Sequence, residues 1–238
     1  MTALLASVRS LDEARLVAAA GADWIDLKEP AAGALGAVAP ETVTAVSAAF
    51  GNAHRISATI GDCWDTPSVI PARVATMAAA GAQYVKVGAY AASPLPPLLD
   101  ALGRASATGA KVIVVCFAER APQHEDLRRL AATGIVGIML DTAEKAGPRL
   151  SELLPVDALC EFVGTARALG LLTGLAGRLR AADVVPLLQA RPDYLGFRGA
   201  LCRDDARNAQ IEPARVDALR RLLSTVRSGM EETPDGMA

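Results

Sequence analysis

The chain of 238 residues carries 24 lysines and arginines, yet only four are lysines: Lys28, Lys86, Lys111 and Lys145. Lys28 follows Asp26 closely in WIDLK, and Lys145 follows Asp141 in MLDTAEK. A lysine kept neutral near pH 7 can attack a carbonyl and form a Schiff base. Burial and like charge lower a lysine's pKa, whereas a nearby carboxylate raises it. Bringing a lysine from ~10.4 to ~7.4 requires about 4 kcal/mol of differential interaction, which cationic neighbours in a partly dry site can supply. Asp26 and Asp141 have the chemistry to move protons to and from such an adduct. Spacing alone leaves open which lysine attacks.

These side chains act together only if the fold gathers them. An Ala-rich helical run, a glycine and a short apolar strand recur at 17–28, 77–88, 105–117, 130–141 and 166–177. The glycine suits the left-handed position that closes a helix, and the residues after it suit a strand. Further strand candidates at 3–8, 55–60 and 194–197 complete a set of eight, each followed by a helical segment. That spacing predicts an α/β chain with a single (β/α)8 TIM barrel over residues 1–228, and a flexible tail at 229–238. Ser10 and Glu13 predict a capping box, Pro40 and Pro71 the first turns of two helices, and Pro155 a small extra helix after the sixth strand. An open doubly wound sheet is the alternative fold. No Gly-rich dinucleotide fingerprint follows the first strand, and no cofactor is expected.

In such a barrel the chemistry sits at the C-terminal ends of the strands. Lys28 ends the second strand, Lys86 lies near the end of the fourth, and Asp141 ends the sixth with Lys145 in the loop beyond. Lys111 begins the fifth strand, at the opposite, structural end. Alternation with a period of two sets Ile25 and Leu27 against Asp26 and Lys28, Val85 and Val87 against Lys86, and Ile138 and Leu140 against Asp141. With the apolar faces toward the outer helices, the charged residues point into the barrel. Salt bridges tying strands together would gather the same residue types, so a purely structural role stays open.

Loops seven and eight are the usual phosphate-binding place of this fold. Gly177 and Gly199 would let backbone approach an anion there, and Arg178 or Arg198 could add charge. The glycine-rich stretch at 28–36 reads as a lid or another anion pocket, and Ser57, Thr59 and Asp62 add polar groups to the mouth. Cys202 reads as a packing residue, His124 as the start of a surface helix and His54 as lying at the structural end. The net charge of −2 offers no basic footprint for nucleic acid. No apolar stretch is long enough to span a bilayer, and the first residues lack a signal pattern, so a cytoplasmic location is expected. Four scattered cysteines and two distant histidines form neither a disulfide framework nor a metal site.

The blocks IDLKEPAAGALGA, SATIGD, YVKVGAY, MLDTAEKAG, GLAG and GFRGALC, in this order, resemble the motifs of the (5-formylfuran-3-yl)methyl phosphate synthase family, also called 4-(hydroxymethyl)-2-furancarboxaldehyde-phosphate synthase. The resemblance runs from about Leu4 to Leu223. It implies a metal-independent lyase of methanofuran or methylofuran biosynthesis that condenses two molecules of glyceraldehyde 3-phosphate, releasing phosphate and water. It also implies a Schiff base on Lys28, assistance from Asp26, Lys86, Asp141 and Lys145, and a homo-oligomer. The Ala- and Arg-rich composition suggests a bacterial setting, hence methylofuran and one-carbon oxidation. The segment 117–120 is only loosely like the family's. Another class I aldolase or Schiff-base dehydratase acting on a phosphosugar, and a non-catalytic phosphosugar-binding protein, are the competing readings.

Overall fold

A computed structural model describes residues 2–63, 65–90, 95–144 and 146–231, with side chains described as far as 225. Eight parallel strands close into a barrel in sequence order. They are β1 (Ala3–Val8), β2 (Trp24–Leu27), β3 (Arg55–Thr59), β4 (Tyr84–Ala89), β5 (Val112–Phe117), β6 (Gly137–Asp141), β7 (Leu172–Leu175) and β8 (Tyr194–Phe197). Around them lie α1 (Leu11–Ala19), α2 (Pro40–Phe50), α3 (Ile70–Ala79), α4 (Pro96–Ser106), α5 (His124–Ala131), α6 (Leu150–Leu153), α7 (Val156–Ala168), α8 (Ala181–Leu188) and α9 (Pro213–Glu231). The expected single (β/α)8 barrel is present, including the small extra helix, α6, just before Pro155. The expected tail at 229–238 overlaps the last turn of α9 and otherwise lies outside the described residues.

Local sequence explains the repeating unit. Gly21, Gly81, Gly109, Gly134 and Gly170, one in each recurring module, all adopt positive φ, between +77° and +104°. A β-carbon at Gly109 or Gly170 would meet nothing within 4 Å, so backbone conformation rather than space selects glycine there. The α1 cap differs from the expected box. Ser10 Oγ accepts from the Glu13 N–H as foreseen, but the Glu13 carboxylate accepts from Arg9 N–H and from the Arg198 guanidinium.

Strand alternation sorts the interior into two separate apolar bodies. Leu4, Ile25, Leu27, Val85, Val87, Ile138 and Leu140 face the helices. Leu5, Trp24, Ile113, Val115, Met139 and Tyr194 fill the barrel lumen. Within the lumen the Trp24 ring lies 4.6 Å from Tyr84 and 5.0 Å from Tyr194, centroid to centroid. This aromatic plug fits because Gly174 faces the Tyr194 ring, where a β-carbon would overlap it. The plug is the dry floor on which the charged residues stand.

Candidate active site

Register builds the first half of the site. Ser7, Asp26 and Ser57 are partners on the adjacent strands β1, β2 and β3, and all three point into the lumen. Asp26 therefore accepts from both hydroxyls, at 2.9 Å from Ser7 and 2.6 Å from Ser57. The Lys86 ammonium, from β4, lies 2.8 Å from Asp26 Oδ1 and 5.7 Å above the Tyr194 ring. Burial by itself would raise the Asp26 carboxyl, but the charges of Lys86 and Lys28 and its hydrogen bonds outweigh that and hold it below the ordinary carboxylate range. Burial draws the Lys86 ammonium below the ordinary lysine value, and Asp26 opposes the shift.

Lys28 and Asp141 make the second half. The Lys28 N–H still donates to Val8 O at 2.9 Å, so the pleat of β2 continues through it and turns its side chain to the lumen. Its ammonium lies 3.9 Å from Asp141 Oδ2, while Asp141 Oδ1 accepts from the Thr142 N–H at 2.7 Å. The Lys28 side chain is 12% exposed against 3% for Lys86. A cavity of about 360 Å³ opens above, with Asp26, Lys28, Lys86 and Asp141 in its wall. The geometry offers an amine at a cavity surface, a carboxylate within reach of it, and a buried ion pair beneath. Lys145 lies outside the described residues. Lys111 sits at the other end of the barrel, with its ammonium 5.4 Å from the Tyr84 ring centroid.

The candidate phosphate groups divide. Arg178, at φ +54°, and Gly199 both line the cavity. Gly177 packs against Thr142, and its carbonyl accepts from the Leu150 N–H. Arg198 also borders the cavity, but its guanidinium is committed elsewhere. It binds both Glu13 carboxylate oxygens and donates to Ser7 O at 3.1 Å and Arg207 O at 2.7 Å. A buried arginine so engaged fastens the loop after β8 to β1 and α1.

Other residues settle as structural. His54 Nδ1 lies 2.9 Å from Ala22 O, His124 opens α5 and accepts from Arg128 Nε, and the Cys202 thiol is buried against Arg198 O. In the stretch at 28–36, Thr59 Oγ1 donates to Gly36 O at 2.8 Å, and Leu35 is buried against the lumen. Asp62 accepts from the Tyr90 hydroxyl, and the Tyr90 ring stacks on Phe117. The loosely matching segment 117–120 has a clear task. Glu119 accepts from the N–H groups of Ala143 and Glu144, fastening the loop after β6. Sequence reasoning missed Ser7, Arg180 and Arg207, although all three line the cavity. A charged stretch just past the eighth strand, RDDAR, was the available signal for Arg207.

Amines and carboxylates gathered at the C-terminal mouth of a closed eight-stranded barrel define a (β/α)8-barrel enzyme. Among the described residues no helix is long and apolar enough to cross a membrane. The profile of the 4-HFC-P synthase family matches residues 4–220, and the chain belongs to that family. A relative from Methylorubrum extorquens is 44% identical over 214 residues, spanning 90% of this chain and 88% of its own; it bears the name (5-formylfuran-3-yl)methyl phosphate synthase provisionally. The enzyme of that name from Methanothermobacter thermautotrophicus is 33% identical, over 93% of this chain and 99% of its own. Among solved structures, 3-hexulose-6-phosphate synthase from Salmonella typhimurium superposes with a TM-score of 0.67 over 94% of this chain and 100% of that one. At 15% identity that likeness concerns the fold.

Proposed function

We propose that this chain is a (5-formylfuran-3-yl)methyl phosphate synthase, a Schiff-base lyase that joins two molecules of glyceraldehyde 3-phosphate and releases one phosphate and two waters. The Lys28 amine adds to the carbonyl of one triose phosphate, and loss of water gives the imine. Its enamine tautomer attacks the aldehyde of the second molecule; that second unit loses its phosphate and one water, and attack of its C2 oxygen on the imine carbon closes the ring and frees the Lys28 amine. Asp141 exchanges protons with Lys28 and the adduct. Asp26, ionised and held by two serines, keeps Lys86 in place, and the pair supplies a fixed field beneath the reacting carbons. Lys145 assists, as the family resemblance implies.

What carries this proposal is the contrast between the two lysines. Both line the cavity, but Lys28 is 12% exposed with Asp141 at 3.9 Å, whereas Lys86 is 3% exposed and paired with Asp26 at 2.8 Å. The test is borohydride reduction in the presence of glyceraldehyde 3-phosphate, followed by peptide mass spectrometry and product analysis. A reduced triose adduct on Lys28, with the furan aldehyde phosphate in solution, is expected. An adduct with a different product would point to another aldolase or dehydratase. No adduct on any lysine at the mouth would make the cluster an electrostatic trap for phosphate.

A further inference from the structure

A reaction that joins two phosphorylated trioses brings two dianions to one barrel mouth, and they must be held apart while their carbons meet. Gly199 and Arg178, the candidates for one anion, line the cavity from the loops after β8 and β7. Arg207 follows β8 as Gly199 does, but its guanidinium reaches a different arc of the rim. Its Nη2 donates to Gly33 O, in the loop after β2, at 2.8 Å, and it lines the same cavity as Lys28. In barrel order, β8 and β1 intervene between the Arg178 loop and the Gly33 loop.

The Arg207 backbone is fixed in advance. Its carbonyl accepts from Arg198 Nε at 2.7 Å, and Arg198 is held by Glu13 and by Ser7 O. A bridge between Cys202 and Ile211 closes the same loop, and Asp204 and Asp205 both take up left-handed φ of +55° to make its turn. The guanidinium is not fixed in the same way. Among the described residues it has no carboxylate within ion-pair distance, and a neutral carbonyl occupies one of its five N–H donors. Burial lowers its pKa from the ordinary arginine value. A half-buried cation whose partner is a carbonyl gains by exchanging it for a phosphate, whose bonds are charge-assisted and bidentate.

We propose that Arg207 forms a second phosphate subsite, which holds the second phosphorylated substrate on the β2 side of the mouth. The anion's identity rests on the furan-synthase reading; the presence of the subsite does not. Two measurements separate these points. Inorganic phosphate binding, followed by calorimetry, should show two sites in the wild type and in Arg207→Lys, and one in Arg207→Gln. With glyceraldehyde 3-phosphate, Arg207→Gln should keep the borohydride-trapped adduct on Lys28 at an unchanged half-saturating concentration. Furan formation should fall about 100-fold, with partial rescue in Arg207→Lys. An unchanged unfolding midpoint in Arg207→Gln checks that the loop stays folded. Two phosphate sites in Arg207→Gln, or a single site in the wild type, would overturn the subsite. So would parallel loss of adduct and product. A wild type that binds two phosphates but makes neither adduct nor furan would sink the furan-synthase reading and leave the subsite standing.

Discussion

Lys86 and Asp26 form an ion pair of 2.8 Å that is almost wholly withdrawn from solvent, on a floor of aromatic rings. Desolvation of two charges is compensated here by geometry and by the Ser7 and Ser57 hydroxyls, which occupy the remaining carboxylate positions. Lys28, at the same cavity, is the more exposed of the two, at 12% against 3%.

Lys28→Arg keeps the positive charge near Asp141 and removes the amine that can form an imine. Turnover should fall at least about 1000-fold while the unfolding midpoint is retained. Lys111→Arg, at the other end of the barrel, should leave kcat/KM within about two-fold, because Arg preserves its cation–π contact with Tyr84. Steady-state kinetics and thermal unfolding of the two variants, side by side, check both statements. Normal turnover in Lys28→Arg would remove it from the chemistry.

The low Asp26 carboxyl makes stability depend on pH in a definite direction. A group whose folded pKa lies below its unfolded value, about 3.9, contributes stability in full above that unfolded value and loses it as pH falls through the folded one. The wild type should therefore lose unfolding free energy on acidification below about pH 4. Asp26→Asn should be less stable at pH 7, where it leaves Lys86 without its counter-charge, and its acid arm should be flatter. Denaturant titrations from pH 3 to 7 give both slopes, and equal slopes would contradict the ionised pair.

Two arginines at the mouth should respond to mutation in opposite ways. Arg198→Met strands the buried Glu13 carboxylate and frees the loop after β8, a destabilisation of about 3–5 kcal/mol. Arg178 is exposed at the cavity edge, so Arg178→Ala should leave the unfolding midpoint nearly unchanged and raise KM for the triose phosphate about ten-fold, the loss of one charge-assisted contact. Unfolding free energies and KM values for both variants decide it. A stable Arg198→Met with a raised KM would return Arg198 to the substrate.

Gly174 and Gly164 make a second contrasting pair. Alanine at 174 would push a methyl into the Tyr194 ring, which Trp24 prevents from retreating, so Gly174→Ala should lose about 1–3 kcal/mol. At Gly164, on α7, a β-carbon meets nothing within 4 Å, and Gly164→Ala should gain about 0.5–1 kcal/mol. Chemical unfolding of the two variants should move their midpoints in opposite directions; loss in both would mean that the lumen is not what Gly174 accommodates.

The sequence by itself determined the barrel and its polarity. Helix-closing glycines and strand alternation are local properties, set by φ preference and by the pleat, so the five modules and the inward direction of Asp26, Lys28, Lys86 and Asp141 were legible in the chain. Which lysine meets which carboxylate was not. Asp26 and Lys28 are two residues apart, yet their partners come from β4 and β6, and only the closed register assigns 2.8 Å to one pair and 3.9 Å to the other. Arg198 read as a phosphate ligand because a motif carries no record of Glu13, 185 residues away, which closure of β8 against β1 brings to its guanidinium. Arg207 stayed hidden for the same reason. Its place at the mouth depends on a carbonyl contact with Arg198 and on Gly33, in a loop on another arc of the rim. Contacts between residues distant in sequence arise when the barrel closes, and pairings of charge are decided at that point.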